Sequence, residues 1–81
     1  MVRINNIGRD ERFIWCNYCP ENEKENGFIK VDLKSESIVD RKAAPYELRY
    51  GTQMYTHHAM IKLLSIQNAN PLPLQTGAIW F

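Results

Sequence analysis

Two cysteines, Cys16 and Cys19, are the residues of this sequence whose type and spacing have a chemistry of their own. Thiols in a C-x-x-C arrangement can share a metal ion or oxidise to a disulfide when their sulfurs face a common point. The chain has no other cysteine. A function that depends on metal binding or thiol chemistry must therefore begin with this pair.

A zinc site is the first interpretation of the pair. A structural zinc ion takes four ligands, of which Cys16 and Cys19 supply two. His57 and His58 are the histidines of the chain, but neighbours on a helix project about 100° apart, so at most one of them reaches a common ion. The carboxylates of Glu21 to Glu25 can complete the set. The sequence therefore offers Cys16, Cys19 and His57 as candidate metal ligands, within one chain or shared across a dimer.

A thiol-redox centre is the second interpretation. The run Trp-Cys-x-x-Cys-Pro after an apolar strand is superficially similar to the thioredoxin-type active site, over eight residues. In that family the first cysteine begins a helix, whose dipole activates it. Here Glu21 to Glu25 and Gly27 leave room for barely two turns without an apolar face. The plainer interpretation, which we favour, makes Cys16 a small buried hydrophobe and Cys19 a loop thiol.

Catalysis by other routes has little support in the sequence. It contains no nucleophile elbow, phosphate-cradling glycine loop, paired-carboxylate motif or metalloprotease motif. A cysteine, a histidine and an acid could form a catalytic triad, but a cysteine and a histidine occur together by chance in most chains. We therefore expect no catalytic activity and no cofactor, with zinc as the one cofactor that the cysteines leave open.

Composition and charge argue against a nucleic-acid partner. Ten basic and nine acidic residues give a net charge of +1 and are mixed along the chain, which leaves no electrostatic footprint for a phosphate backbone. Phe13, Trp15 and Phe28 could in principle stack bases. The same strands carry Asp32, Glu11 and the acidic loop Glu21 to Glu25, however, and this favours a packed core as the place of the three rings.

The length of 81 residues suggests one domain, 1–81, whose core is thin unless a metal, a disulfide or self-association supports it. The amino-terminal residues lack the apolar run of a signal peptide, and no stretch approaches the length that crosses a membrane. We expect a small, bacterial-type cytosolic protein with no membrane partner. In that compartment a permanent disulfide is disfavoured.

The hydrophobic pattern predicts three central strands. Residues 12–18 carry large apolar groups on both alternating sets, so we expect this strand to be covered on both faces. Residues 28–33 alternate cleanly between apolar and polar and pair with 38–42 as an antiparallel hairpin. Pro45 ends the hairpin, because it has no N–H to offer a ladder.

The rest of the chain completes an α+β fold. Residues 2–7 offer only a weak strand, a helix runs from Thr52 to about Gln67, and a short strand occupies 77–81. The architecture we expect is a small antiparallel β-meander of three strands plus a short C-terminal strand, packed against one α-helix.

The predicted helix has more apolar surface than so small a sheet can cover. Its polar stripe is narrow and consists of His58, Lys62 and Ser65. Either the amino-terminal or the carboxy-terminal arm of the chain covers this apolar surface, or a second copy does. Of these we expect protein association, as a homodimer. The candidate interface residues are Met60, Ile61 and Leu64 on the helix, Tyr50 and Tyr55 at its entrance, and Trp80 and Phe81 at the end of the chain.

Overall fold

Five antiparallel strands form one sheet in the computed structural model, which describes residues 1–78. The strands are β1 (Val2–Arg9), β2 (Phe13–Pro20), β3 (Gly27–Asp32), β4 (Ser37–Lys42) and β5 (Gln75–Ala78). Two helices, α1 (Pro45–Tyr50) and α2 (Met54–Ile66), lie between β4 and β5. The strand order across the sheet is β4-β3-β2-β1-β5.

The first four strands form a meander in which every strand pairs with its neighbour in sequence. Cys16 lies opposite Ile29 in the β2–β3 register, and Ile4 lies opposite Tyr18 in the β1–β2 register. Each pair places apolar side chains on the same face, which is what the alternation along the strands requires. The chain returns after α2 to add β5 to the outer edge of β1, where Thr76 lies opposite Ile4.

The helices cover one face of this sheet, which we call the inner face. Tyr55, Ala59 and Leu63 recur every four residues of α2 and so lie on one side of it. They pack on the inner-face side chains of the three central strands. The buried core consists of Val2, Ile4, Ile14, Cys16, Tyr18, Ile29 and Val31 from the sheet, and Ala44, Tyr55, Ala59 and Leu63 from the helical layer.

The predicted α+β class is confirmed, but the predicted number of strands is too small. The chain has a full strand, β1, where the sequence suggested only a weak one. Asn5, Asn6 and Gly8 look like strand breakers, yet the register merely shifts between Asn5 and Gly8, as in a β-bulge. Asn6 takes a positive φ of 51° there, a conformation that asparagine tolerates well. The bulge therefore accommodates, within β1, residues that would otherwise end a strand.

A short helix, α1, was not expected from the sequence. Pro45 does not simply end the hairpin but occupies the first turn of this helix, where its missing N–H costs no hydrogen bond. Gly51 ends it in the left-handed conformation, with φ 61°. Six residues are too few to show a helical period, so only these two end signals could have revealed the element.

The opposite face of the sheet, which we call the open face, has no helix packed on it within residues 1–78. Phe13, Trp15 and Phe28 project from this face and are only partly buried. The expectation that β2 is covered on both faces is therefore wrong, and so is the packed-core interpretation of these three rings. Aromatic side chains on both alternating sets of a strand do not by themselves show that both sets are covered.

The turn after β3 is held by the carboxylate of Asp32. Its Oδ1 atom accepts hydrogen bonds from the backbone N–H groups of Ser35 at 3.2 Å and Lys34 at 2.8 Å. Arg12 Nε lies 3.4 Å from Oδ2. These bonds to the charged form, led by the Ser35 amide, hold the pKa of Asp32 below its ordinary value of 3.8.

Replacing Asp32 should weaken the response of the fold to acid. Because the pKa is lower in the folded chain, the carboxylate stabilises the fold above pH 3.8, and this contribution is lost as the pH falls through the folded pKa. Urea denaturation of wild type and Asp32→Asn, from neutral pH down to about pH 2, measures the effect. The difference in unfolding free energy should shrink with falling pH. A constant difference, or an equal response in the exposed control Glu11→Gln, contradicts this assignment.

Candidate functional site

The two cysteines lie on opposite faces of β2. Both belong to this continuous strand and are three positions apart, so their side chains alternate to different sides of the sheet. Cys16 lies opposite Ile29 and points into the core, whereas Cys19 lies opposite Arg3 on the open face. The structure therefore does not bring the two sulfurs to a common point.

Each thiol has its own surroundings. Cys16 is completely buried, and this burial raises its pKa to about 12. Cys19 is not the loop thiol that the sequence suggested, because β2 extends to Pro20. The following loop, residues 21–26, folds over it. Its Sγ donates to the carbonyl oxygens of Glu23 and Glu25, and accepts a hydrogen bond from Arg3 Nη2 at 3.3 Å.

The third candidate ligand, His57, is exposed on α2, and its ring lies 5.9 Å from that of His58. Among residues 1–78 there is no group of three or more histidine, cysteine, aspartate or glutamate side chains placed to hold a metal ion. Zinc binding thus remains a prediction, and the geometry brings none of its proposed ligands together.

A buried carboxylate, which the sequence analysis did not single out, is the centre of the best-connected polar cluster. Glu47 belongs to α1 and its side chain is 1% exposed. Its Oε1 accepts hydrogen bonds from the Tyr18 hydroxyl and from Thr56 Oγ1, the latter at 2.8 Å. Arg41 Nη2 lies 3.4 Å from the same oxygen. We call these four residues the Glu47 cluster.

The second carboxylate oxygen of Glu47 holds the start of α2. It accepts the backbone N–H of Thr56 at 2.8 Å, one of the amides in the first turn that have no partner within the helix. Gln53 at the N-cap position makes no side-chain cap. Glu47 therefore does the work of an N-cap residue, and its negative charge suits the positive end of the helix dipole.

Two further hydrogen bonds complete the Glu47 cluster. The Ala44 backbone N–H donates to the Tyr18 hydroxyl at 3.1 Å, and Arg41 Nε donates to Thr56 Oγ1 at 3.0 Å. Burial, together with the bond to Glu47, raises the pKa of Tyr18, which keeps its hydroxyl protonated as a donor. Every polar side-chain group at the centre of the cluster thus has a partner inside it.

A surface cavity of about 270 Å³ adjoins the cluster. Its walls are Arg41, Ala43, Glu47, Leu48, Gly51, Thr52 and Gln53. The two charged groups in these walls, Arg41 and Glu47, are paired with each other. We therefore interpret the cluster as the joint between the helices and the sheet, and no cysteine or histidine lines the cavity to act as a nucleophile or a base.

The residues proposed as an interface are placed differently from one another. Tyr55 is buried in the core, and Met60 and Leu64 are partly buried against it. Tyr50 and Ile61 are exposed. Trp80 and Phe81 lie outside the described residues.

The exposed side of α2 is also rotated from the expected one. His57 and Ile61 are exposed, whereas His58 and Lys62 of the predicted polar stripe are partly buried. The prediction for Ser65 is confirmed, since it is exposed. The prediction of the exposed side did not include the short helix α1, so it could not account for the direction from which the chain enters α2.

Large apolar side chains stand out on the solvent side of the helical layer. We call them the helical-layer surface: Leu48 (73% exposed), Tyr50 (63%), Ile61 (47%) and Met54 (43%). The Tyr50 ring is held in place, because its centroid lies 4.6 Å from that of Tyr46. Leu48 was missed in the sequence because α1 was not recognised.

Comparisons with protein-family models, with curated proteins and with solved structures gave no significant match to this chain. Neither α1 nor α2, the helices found within residues 1–78, has the length and apolar character needed to cross a membrane.

Removing the charge of Glu47 should severely destabilise the fold. In Glu47→Gln an amide N–H₂ replaces an acceptor and leaves Arg41 without its counter-charge, which costs about 3 kcal/mol or more of unfolding free energy. Thr56→Val keeps both charges and should cost less, about 1–2 kcal/mol. Urea denaturation followed by tryptophan fluorescence measures both. If Glu47→Gln is as stable as the exposed control Glu25→Gln, the cluster is not the joint described here.

The thiols should react independently. Cys19 is covered only by residues 21–26, so local opening exposes it, whereas Cys16 requires global unfolding and should react about tenfold or more slowly. Labelling with a thiol reagent at increasing urea, with Cys16→Ala and Cys19→Ala to assign the phases, measures both rates. An intramolecular disulfide formed in the native protein, or protection of both thiols by stoichiometric zinc, contradicts the separation of the two sulfurs.

Proposed function

We propose that this protein acts in the cytosol by protein association, without catalysis, and that two copies associate through the helical-layer surface. The observation that carries the proposal is the exposure of four large apolar side chains on the solvent side of the helices. The core beneath them is already filled by Tyr55, Ala59 and Leu63. The four exposed side chains are therefore not required for the packing of the core within one chain.

Burial of such side chains contributes substantially to the free energy of association. A large apolar side chain contributes about 1.5–3 kcal/mol when it passes from water to a fully apolar environment. Because these side chains are 43–73% exposed, only that part of the gain is left for association. Four per protomer, doubled by two-fold symmetry, then contribute a free energy of the same order as the cost of association. A fold of 81 residues also has a thin core, which association supplements.

A second copy suits this surface because the surface is apolar and carries little charge. In a two-fold dimer each patch meets itself, so any charge on it would face its like. Two cations lie beside Leu48, and both have a counter-ion in their own chain: Arg49 lies 3.5 Å from Glu23, and Arg41 lies 3.4 Å from Glu47. Leu48, Met54 and Ile61 are themselves uncharged, and the cation that follows Ile61, Lys62, is partly buried.

The edge strand β4 is a poorer place for association. Its register with β3 shifts between Lys30 and Val31, which places a bulge beside Val39. Asp40 and Lys42 add charge to the same edge. Bulges and charged residues are the features that keep edge strands from pairing with other chains. No observation favours the metal or redox alternative as a second function, because Cys16 and Cys19 face different sides of the sheet.

The dimer can be tested by sedimentation and light scattering. A wild-type dilution series from about 100 µM to about 1 µM should show a dimer that dissociates only at the low end. The double variant Leu48→Lys/Ile61→Lys should weaken it by about 100-fold or more, because it places two like charges per protomer in the apolar contact.

The matched control is Leu74→Lys, which changes a residue that is 82% exposed but lies outside the helices. It should leave the dimer unchanged. A wild-type monomer throughout the series, or equal behaviour of the double variant and the control, would show that the helical-layer surface does not mediate association.

A further inference from the structure

The open face carries three aromatic rings on the two adjacent strands at the middle of the meander. Phe13 and Trp15 project from β2, and Phe28 projects from β3 opposite Asn17. All three are partly exposed. The Trp15 indole occupies the space above Gly8, where a Cβ atom would lie 2.6 Å from its Nε1. The missing side chain at Gly8 therefore lets the ring lie against the strand beside it.

Positive charges stand beside these rings. Lys30 lies opposite Trp15, with its Nζ 4.5 Å from the centroid of Phe13 and 5.9 Å from that of Trp15. The Arg12 guanidinium lies 5.1 Å from the Phe13 centroid. Lys42 lies opposite Phe28 in the β3–β4 register. Aromatic rings interleaved with cations are the pattern of surfaces that bind single-stranded nucleic acid.

Three of the acidic residues that argue against such a partner are paired within the chain, whereas Glu11 and Glu25 are exposed. Asp32 is buried and bonded to the amides of its turn and to Arg12. Glu21 lies 3.0 Å from the amino group of Met1 and accepts the Tyr55 hydroxyl at 2.7 Å. Glu23 pairs with Arg49.

The charges that remain on the open face are mainly positive. Lys30 and Lys42 on β3 and β4 are joined by Arg3 on β1, against Asp40 opposite Lys30, while the charge of Arg12 is balanced by Asp32. A phosphate backbone thus meets a local excess of positive charge, although the chain as a whole is nearly neutral.

Amide side chains cross the open face next to the rings. Asn17, Asn5 and Gln75 face one another in register across β2, β1 and β5. Asn5 Oδ1 is buried and has no hydrogen-bond partner among the described residues. A depression of about 330 Å³ lies at this point, with Arg3, Asn5 and Gln75 among its lining residues. Rotation of the Asn5 amide towards the depression would bring this acceptor within reach of a ligand N–H group, such as those on base edges.

We propose that the open face binds single-stranded nucleic acid. Bases stack on Phe13, Trp15 and Phe28, the phosphates lie near the cations between them, and the amide row meets the edge of an unstacked base. In the free protein the Lys30 ammonium group contacts the rings of Phe13 and Trp15. An exposed cation–π contact is weaker than the stacking of a base on an aromatic ring. A bound strand therefore displaces the ammonium group from the rings, and the group then pairs with a phosphate. A duplex is not expected to bind in this way, because its bases are already stacked.

Fluorescence anisotropy with labelled oligothymidine and oligouridine of about twelve nucleotides tests the proposal. We expect micromolar dissociation constants at low salt. Trp15→Ala and Phe28→Ala should each weaken binding about tenfold, and Lys30→Gln should lower the slope of log K against log salt by about 0.7, the value for one lost phosphate contact on a single strand. Circular dichroism and urea denaturation verify that each variant is folded.

Matched controls on the opposite side of the molecule are His57→Ala for the aromatic changes and Lys62→Gln for the lysine change. Both should bind as wild type does. The neutral double variant Leu48→Ser/Ile61→Ser, which removes the same apolar contact without adding charge, should also keep its affinity per chain, so failure of the dimer and failure of this proposal can be told apart.

Three results would overturn the proposal: no binding at about 50 mM salt, binding that Trp15→Ala and Phe28→Ala leave unchanged, or binding of a duplex with the same affinity as the single strand. Equal binding of poly-glutamate would also overturn it, because the face would then be a site for acidic proteins and the rings would have no role as a base-stacking surface.

Discussion

The carboxylate of Glu47 is the interaction on which the rest of the structure depends. Its partners come from β2, β4 and the first turn of α2, so one buried charge joins the sheet to both helices. A buried carboxylate is costly unless each of its lone pairs has a donor, and these donors come from residues far apart in sequence. The joint therefore forms only when the whole fold is in place, and it fixes which face of the sheet the helices cover.

Once the helices are fixed on one face, the alternation of the strands gives the two sides of the sheet different chemistries. The same rule that buries Cys16 in the core places Cys19 on the open face and separates the two thiols. It also leaves Phe13 and Trp15 on the side that no helix covers within residues 1–78. The pair that suggested metal or redox chemistry in the sequence thus becomes two unrelated side chains, while rings assigned to the core become part of a surface.

The two proposed surfaces lie on opposite sides of the molecule and share no residue. Association through Leu48, Tyr50, Met54 and Ile61 leaves the open face of each protomer directed away from the contact. Because the residues are separate, each proposal can fail without the other.

The sequence by itself determined the α+β class, the alternation of β3, and a helix over Thr52 to Gln67, of which Met54–Ile66 is helical. These are local properties, set by periodicity and end signals within a few turns or strands. Only the tertiary structure decided the burial of Glu47, the inclusion of β1 through its bulge, and the exposure of Phe13, Trp15 and Leu48. The physical reason is that a period of two shows which residues share a face but not which face the helices will cover, and that choice depends on contacts between residues as distant as Tyr18 and Glu47.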